Sequence, residues 1–326
     1  MYVEFDKQRL VIGLRPFSFD SPAIEGKDVT GYKSHYGYVF EETFPDVIHR
    51  MGKLDVLHYH VAVQSFSLPD ATATAFLIHG YYDHAGLLKH VIQYWLERKV
   101  NVVAFDLPGH GLSSGDPVSI PTFEHYQTVF KAVLHLAKDC VHPWYALGQS
   151  TGSGVIADYV LSAGFTQQNC PFKKIILMAP LVRPVRWPTV HFLYYAIGLF
   201  RPYVKRTFAR NSSDKAFLQF LCEGDPLQSR FLSSEWVGAL LRWVPKITHA
   251  QPVDLAPLIL QGDQDTTVEF RYNLKILKQK FTQAKIVMVP GARHHLPNES
   301  AHFRDDLWRA MDEYLQFAVH SLPNNC

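Results

Sequence analysis

Along the chain, short unbroken apolar runs alternate with stretches whose apolar residues recur three and four positions apart. Residues 1–55 stand outside this pattern. They hold Pro16, Pro22 and Pro45 with little periodicity, and they read as an N-terminal extension whose role the pattern does not reveal. From about Leu57 the signal sharpens. HYHVAVQSFSLP reads as a strand and LPDA as a turn. The apolar run TAFLIHG precedes a helical stretch, HAGLLKHVIQYWLERK, with Leu87, Val91, Tyr94 and Trp95 on one face. NVVAFDLPGHG is a further buried strand. The helix FEHYQTVFKAVLHLAKD follows, with Phe123, Tyr126, Phe130, Val133 and Leu134 as its stripe. WYALGQSTGSG, KKIILMAP, APLILQGDQD and AKIVMVPG each begin or consist of a strand. The closing helix AHFRDDLWRAMDEYLQFAVH turns Phe303, Leu307, Met311, Tyr314 and Leu315 inward, with Asn298 or Ser300 as its cap.

Unbroken apolar strands alternating with amphipathic helices predict an α/β fold, a mostly parallel sheet covered on both faces. The alternation breaks once, between Pro180 and Ala256, where the sequence is helical and aromatic-rich. That length exceeds an ordinary connection, so residues 181–255 read as a helical cap inserted over the C-terminal edge of the sheet. The catalytic domain is then 56–180 together with 256–326.

Composition narrows the class. Of 326 residues, 47% are apolar and 19% charged, which excludes a disordered chain. A net charge of +2 without basic runs argues against nucleic acid as a partner. Cys140, Cys170, Cys222 and Cys326 are scattered and form no CxxC pair, which favours free thiols in a reducing, cytoplasmic setting. Charged residues interrupt the N-terminus MYVEFDKQRLVIGLRPF before any apolar stretch of signal length. The aromatic stretch HFLYYAIGLF falls short of the ~20 residues needed to span a bilayer. The expectation is a soluble protein, or one attached peripherally at a membrane surface.

The chemistry concentrates at three turns. Gly148-Gln149-Ser150-Thr151-Gly152 fits G-x-S-x-G between a strand and a helix, where a sharp turn requires small flanking residues and lifts a nucleophilic serine to a helix N-terminus. Serine needs a base and a carboxylate that orients the base, and both should follow later strands. Asp265 follows PLILQG and His294 follows KIVMVPG. Asp263 competes for the acid role, and the adjacent His295 for the base. Backbone amides of Thr151 and Tyr81 are the expected oxyanion donors, with Tyr82 second to Tyr81. His110, in the turn Asp106–Gly111, reads as a structural residue. Asp83 and His84 either brace the oxyanion loop or begin a helix. This chemistry calls for no cofactor, and no HExxH-type metal motif is present.

The segments LIHGYYDHAG, VVAFDLPGHGLSSG, ALGQSTGSG, LILQGDQDTTV and VPGARHHLPNE together resemble the monoglyceride lipase and lysophospholipase group of α/β-hydrolases, near the serine aminopeptidases. The likeness runs from about residue 74 to 315. It implies Ser150 as nucleophile, Asp265 as acid, His294 as base, Tyr81 and Thr151 as oxyanion amides, and a helical cap at 181–255. The chain departs from the group's pattern at His295, where many members are acidic, and at Gln149, where many have histidine. The implied substrate is a small lipid or ester. A general carboxylesterase, a small-peptide hydrolase and a silent binding scaffold are the competing readings. The cap carries ten basic residues against five acidic ones and many aromatics. That composition suits an anionic lipid surface, but it also suits a solvated face over the cap's own small core.

Overall fold

The computed structural model describes residues 5–198 and 200–317. In chain order the strands are β1 (Ile48–Val56), β2 (Tyr59–Ser67), β3 (Ala73–Ile78), β4 (Val100–Phe105), β5 (Trp144–Gln149), β6 (Phe172–Met178), β7 (Tyr203–Lys205), β8 (Phe231–Ser233), β9 (Leu258–Gly262) and β10 (Lys285–Val289). Eight of them form one sheet, in the order β1-β2-β4-β3-β5-β6-β9-β10. From β4 to β10 every pairing is parallel, whereas β2 is antiparallel to both β1 and β4. The sheet is therefore mixed and mostly parallel. Its central strands β3 and β5 are buried at every position, the condition that makes a strand read as an unbroken apolar run.

Helices cover both faces. One core layer packs α4 (Phe123–Leu136), α5 (Thr151–Ala163), α8 (Ser234–His249) and α9 (Phe270–Lys280) against the sheet. The other packs α1 (Lys7–Gly13), α2 (Lys27–Tyr36), α3 (Lys89–Leu96) and α10 (Ala301–Leu315). The periodic stripes lie inward as their spacing predicts: Leu87, Val91, Tyr94 and Trp95 are buried, as are Phe123, Tyr126, Phe130, Val133 and Leu134. Ser300 is the cap residue of α10 but makes no side-chain cap bond, and Asn298 instead donates to Leu87 O at 2.8 Å.

Of the described N-terminal residues, several are bound into the domain. β1 starts at Ile48, so the sheet begins within the stretch that the sequence pattern left as an extension. Its burial is irregular because it is the sheet's outer strand, and this blurs the alternation that would mark it. Phe17 N donates to Lys53 O at 2.9 Å and Lys53 N to Arg15 O at 2.8 Å, which extends that edge. Tyr32 and Tyr38 are wholly buried. Tyr32 Oη accepts a bond from Gln64 of β2 at 2.9 Å, and Tyr38 Oη donates to Ala85 O.

Between β6 and β9 lies a cap-like insertion holding α6 (Trp187–Leu193), α7 (Lys215–Gln219), α8 and a separate two-stranded ribbon of β7 and β8. Its aromatics divide between two environments. Trp236 and Trp243 are buried in the core on α8, whereas Phe192, Tyr195, Phe200 and Phe231 are exposed. No helix among the described residues is long and apolar enough to cross a membrane. Cys140, Cys170 and Cys222 are free, and Cys326 lies outside the described residues.

Candidate active site

Strand β5 delivers Ser150 to the C-terminal edge of the sheet and α5 leaves from it. Ser150 adopts φ 52 and ψ −110, a strained conformation for a residue with a Cβ. Three backbone bonds hold it: Ser150 N to Met178 O at 2.8 Å, Gly154 N to Ser150 O at 3.1 Å, and Leu181 N to Ser150 O at 3.1 Å. The flanking glycines are steric requirements. A Cβ on Gly152 would come 2.1 Å from Ile78 O, and one on Gly148 would come 2.4 Å from the Gly152 carbonyl carbon.

The turns after β9 and β10 bring Asp265 and His294 to this serine. His294 Nε2 lies 3.0 Å from Ser150 Oγ, and His294 Nδ1 lies 2.7 Å from Asp265 Oδ2. An ionised carboxylate can only accept, so Nδ1 carries the proton and Nε2 is left to receive the serine hydroxyl. Asp265 is itself fixed by Thr267 N at 2.8 Å, Val268 N at 3.1 Å and Gln261 Nε2 at 3.0 Å. All three members of the relay are buried. Burial alone would raise the Asp265 pKa, but the His294 ring and these donors outweigh it and hold the carboxyl below its usual range. Burial would likewise lower the His294 pKa, but the Asp265 carboxylate prevails and raises it.

The competitors sit elsewhere. Asp263 is exposed and accepts the Gly291 amide at 2.8 Å, bracing the turn that carries His294. His295 points away from the serine, with Nε2 3.3 Å from Asp83 Oδ2 and its ring against Phe217. Asp83 therefore ties the β3 loop to the β10 loop. Burial works against its charge, yet His295 and neighbouring groups bring its pKa below the ordinary value. His84 is wholly buried against Asp225 of the cap, Nε2 to Oδ2 at 3.0 Å, and Tyr36 Oη of α2 donates to the same aspartate at 2.7 Å. His110 is also buried. Its Nδ1 lies 2.9 Å from Pro108 O, and its ring packs beside His79 and Tyr81.

Thr151 is the first residue of α5, so its amide has no partner within the helix. The Tyr81 amide pairs with no acceptor among the described residues. The Tyr81 ring is clamped by the cap: it stacks on Trp236, its Oη donates to Val118 O at 2.8 Å, and it accepts from Ser233 N at 3.3 Å. Beside it, Tyr82 is held at φ 73. Several supporting residues escaped the sequence reading. Gln149 Nε2 donates to His294 O at 2.8 Å, Gln261 supports Asp265, and Asp225 anchors His84. Each contact joins distant parts of the chain or depends on a rotamer, and no local pattern marks it.

A strained serine elbow on a mostly parallel sheet, with a histidine and an aspartate delivered by the last two strands, defines an α/β-hydrolase. The sequence model of the serine aminopeptidase S33 family matches residues 69–301, and the chain belongs to that family. An uncharacterized abhydrolase domain-containing protein of Dictyostelium discoideum is 31% identical over 112 residues, 34% of this chain. The monoacylglycerol lipase of Mycolicibacterium smegmatis is 32% identical over 92 residues, 28% of this chain. The chain spans only 11% and 33% of the lengths of these two relatives. A soluble variant of monoglyceride lipase from Saccharomyces cerevisiae, solved in complex with a substrate analog, superposes with a TM-score of 0.68 at 18% identity, covering 82% of this chain and 94% of that one. At that identity the likeness is one of fold.

Proposed function

We propose that the protein is a serine ester hydrolase acting on single-chain acyl lipids, of lysophospholipase or monoacylglycerol-lipase type. The observation that carries the reading is His294 bridging Ser150 and Asp265 at 3.0 and 2.7 Å. Ser150 Oγ attacks the ester carbonyl as His294 takes its proton, and Asp265 steadies the imidazolium. The carbonyl oxygen becomes an oxyanion facing the Tyr81 and Thr151 amides. His294 then protonates the departing alcohol, and water releases the acyl group from Ser150 by the same steps. The relay needs no cofactor.

Residues 181–255 act as the cap, and 56–180 with 256–326 as the catalytic domain, to which the preceding stretch adds β1. The exposed Phe192, Phe200 and Phe231 share the cap with the exposed Arg201, Lys205 and Arg230. This pairing supports peripheral contact with an anionic membrane surface from the cytoplasmic side. A general carboxylesterase or small-peptide hydrolase is the second reading, favoured by the S33 family match. A fluorophosphonate probe should label the wild type and fail to label S150A. Lysophospholipids, monoacylglycerols, short nitrophenyl esters and aminoacyl amides, run against both proteins, separate the readings. Rates that do not rise with acyl length would overturn the lipid assignment.

A further inference from the structure

The ribbon of β7 and β8 continues one step past Lys205, where Arg206 N donates to Arg230 O at 2.9 Å. The two arginines are thus neighbours across the ribbon. Both guanidinium groups lie over Phe208, with Cζ 4.3 Å and 5.0 Å from the ring centroid. That of Arg206 also lies 3.7 Å over the Tyr82 ring. Its Nη1 donates to Gln228 Oε1 at 2.7 Å and to Ser229 O at 3.3 Å, and Gln228 Nε2 in turn donates to Tyr82 O at 3.0 Å. The half-buried Arg206 fork is therefore fixed in orientation by aromatic faces and neutral acceptors.

What it lacks is a carboxylate in direct contact. Among the described residues no carboxylate lies within 4.0 Å of either guanidinium, and Nε and Nη2 of Arg206 donate to no protein acceptor. Asp83 acts on Arg206 through space, but its carboxylate contacts His295 instead. Burial works against the charge of Arg206, and an anion at its unused Nε and Nη2 would offset that cost. A planar guanidinium with unused donors matches the oxygens of a phosphate.

Position selects the ligand. The Tyr81 amide faces the reacting carbonyl in the reaction proposed above, and Tyr82, the next residue, carries Arg206 on its ring. In a lysophospholipid the phosphate sits on the same glycerol as the ester, a few bonds from that carbonyl. We propose that Arg206 and Arg230 form a headgroup subsite for phosphate, so that the substrate class is a lysophospholipid in preference to a neutral monoacylglycerol. This rests on Ser150 acting as the nucleophile on an acyl ester.

The test compares palmitoyl lysophosphatidylglycerol with monopalmitoylglycerol in the same neutral detergent, using wild type, R206Q and R230Q. The wild type should favour the phosphate-bearing lipid. The ratio of the two kcat/KM values should fall about tenfold or more in R206Q and severalfold in R230Q, as expected for losing charge-assisted bonds. Circular dichroism melts check folding. The side chain of Arg230 is exposed, so R230Q carries the test should R206Q not fold. A ratio unchanged in folded variants overturns the subsite. So does inhibition by inorganic phosphate without preference for the lysophospholipid, which would assign the site to free phosphate. Hydrolysis of neither lipid would overturn the acyl-ester reading instead. Binding of the lysophospholipid to S150A, followed by tryptophan fluorescence and compared with S150A/R206Q, then still reads the subsite. Equal affinities there would sink it.

Discussion

Trp236 of the cap lies face to face with Tyr81 of the loop after β3, their ring centroids 3.8 Å apart and their planes 21° from parallel. The cap-like insertion and the loop of the proposed oxyanion amide are therefore packed together, and the insertion should bear on the proposed chemistry.

Truncating that stack should cost both stability and rate. Trp236 is buried, so W236A should destabilise the protein by about 3–5 kcal/mol, as for other large-to-small core changes. It should also lower kcat more than it raises KM, because a loosened Tyr81 amide is lost from the transition state rather than from substrate binding. W236F should recover most of both. A W236A enzyme with the wild-type kcat would show that the stack plays no part in holding the loop.

The acid role separates Asp265 from Asp263. D265N keeps the shape but reverses the preferred tautomer of His294, and a loss of about 10⁴-fold in kcat is expected. D263N removes only the brace to the Gly291 amide, and less than tenfold is expected for a single exposed bond. Single-turnover rates on a nitrophenyl ester would check the order, and the reverse order would exchange the two roles.

The pH profile follows from the relay. As the proposed base, His294 acts only when neutral, and the Asp265 carboxylate, outweighing burial, raises its pKa above the ordinary 6.5. Activity should therefore fall as pH drops, through a midpoint above that ordinary value. A kcat/KM that stays level from about pH 8 down to about pH 5 would contradict the assignment.

Stability should carry a separate pH signature from His84 and Asp225. Burial opposes both charges, yet each partner favours the other, so the His84 pKa is raised from 6.5 and that of Asp225 lowered from 3.8. The histidine's contribution is complete below 6.5 and is lost as pH rises through its elevated folded value. The aspartate's contribution is complete above 3.8 and is lost as pH falls through its depressed one. The pair is therefore most stabilising between those ordinary values. D225N strands a buried histidine and should cost about 3–5 kcal/mol, with the greatest loss in that window. Denaturant melts at several pH values would read it, and a loss independent of pH would exclude the ion pair as its source.

Gln149 offers a narrower test. Removing its amide in Q149A leaves the buried His294 carbonyl without that donor, at about 1–3 kcal/mol. The acidic limb of kcat/KM should keep its midpoint, because the amide touches the carbonyl and not the ring. A shifted midpoint would mean that Gln149 acts on the imidazole directly.

Much of this molecule is legible in one dimension wherever burial is periodic or a turn is sterically demanding. The buried runs of β3 and β5, the stripes of α3 and α4, and glycines where any side chain would strike backbone all leave local marks. Those marks carry the sheet-and-helix alternation and the insertion, and they place a serine, an aspartate pair and a histidine pair at the ends of three strands. The first strand leaves no such mark, because an edge strand is buried irregularly and its aromatic neighbours follow no period. Tertiary structure alone decided that Asp263 braces a turn while Asp265 meets the imidazole, and that His295 turns to Asp83. It alone set Tyr36 and His84 on one cap aspartate and left Arg206 without a carboxylate in contact. Such outcomes depend on which distant groups arrive within bonding distance and on which rotamer survives packing, and adjacent residues of like chemistry carry no trace of that choice.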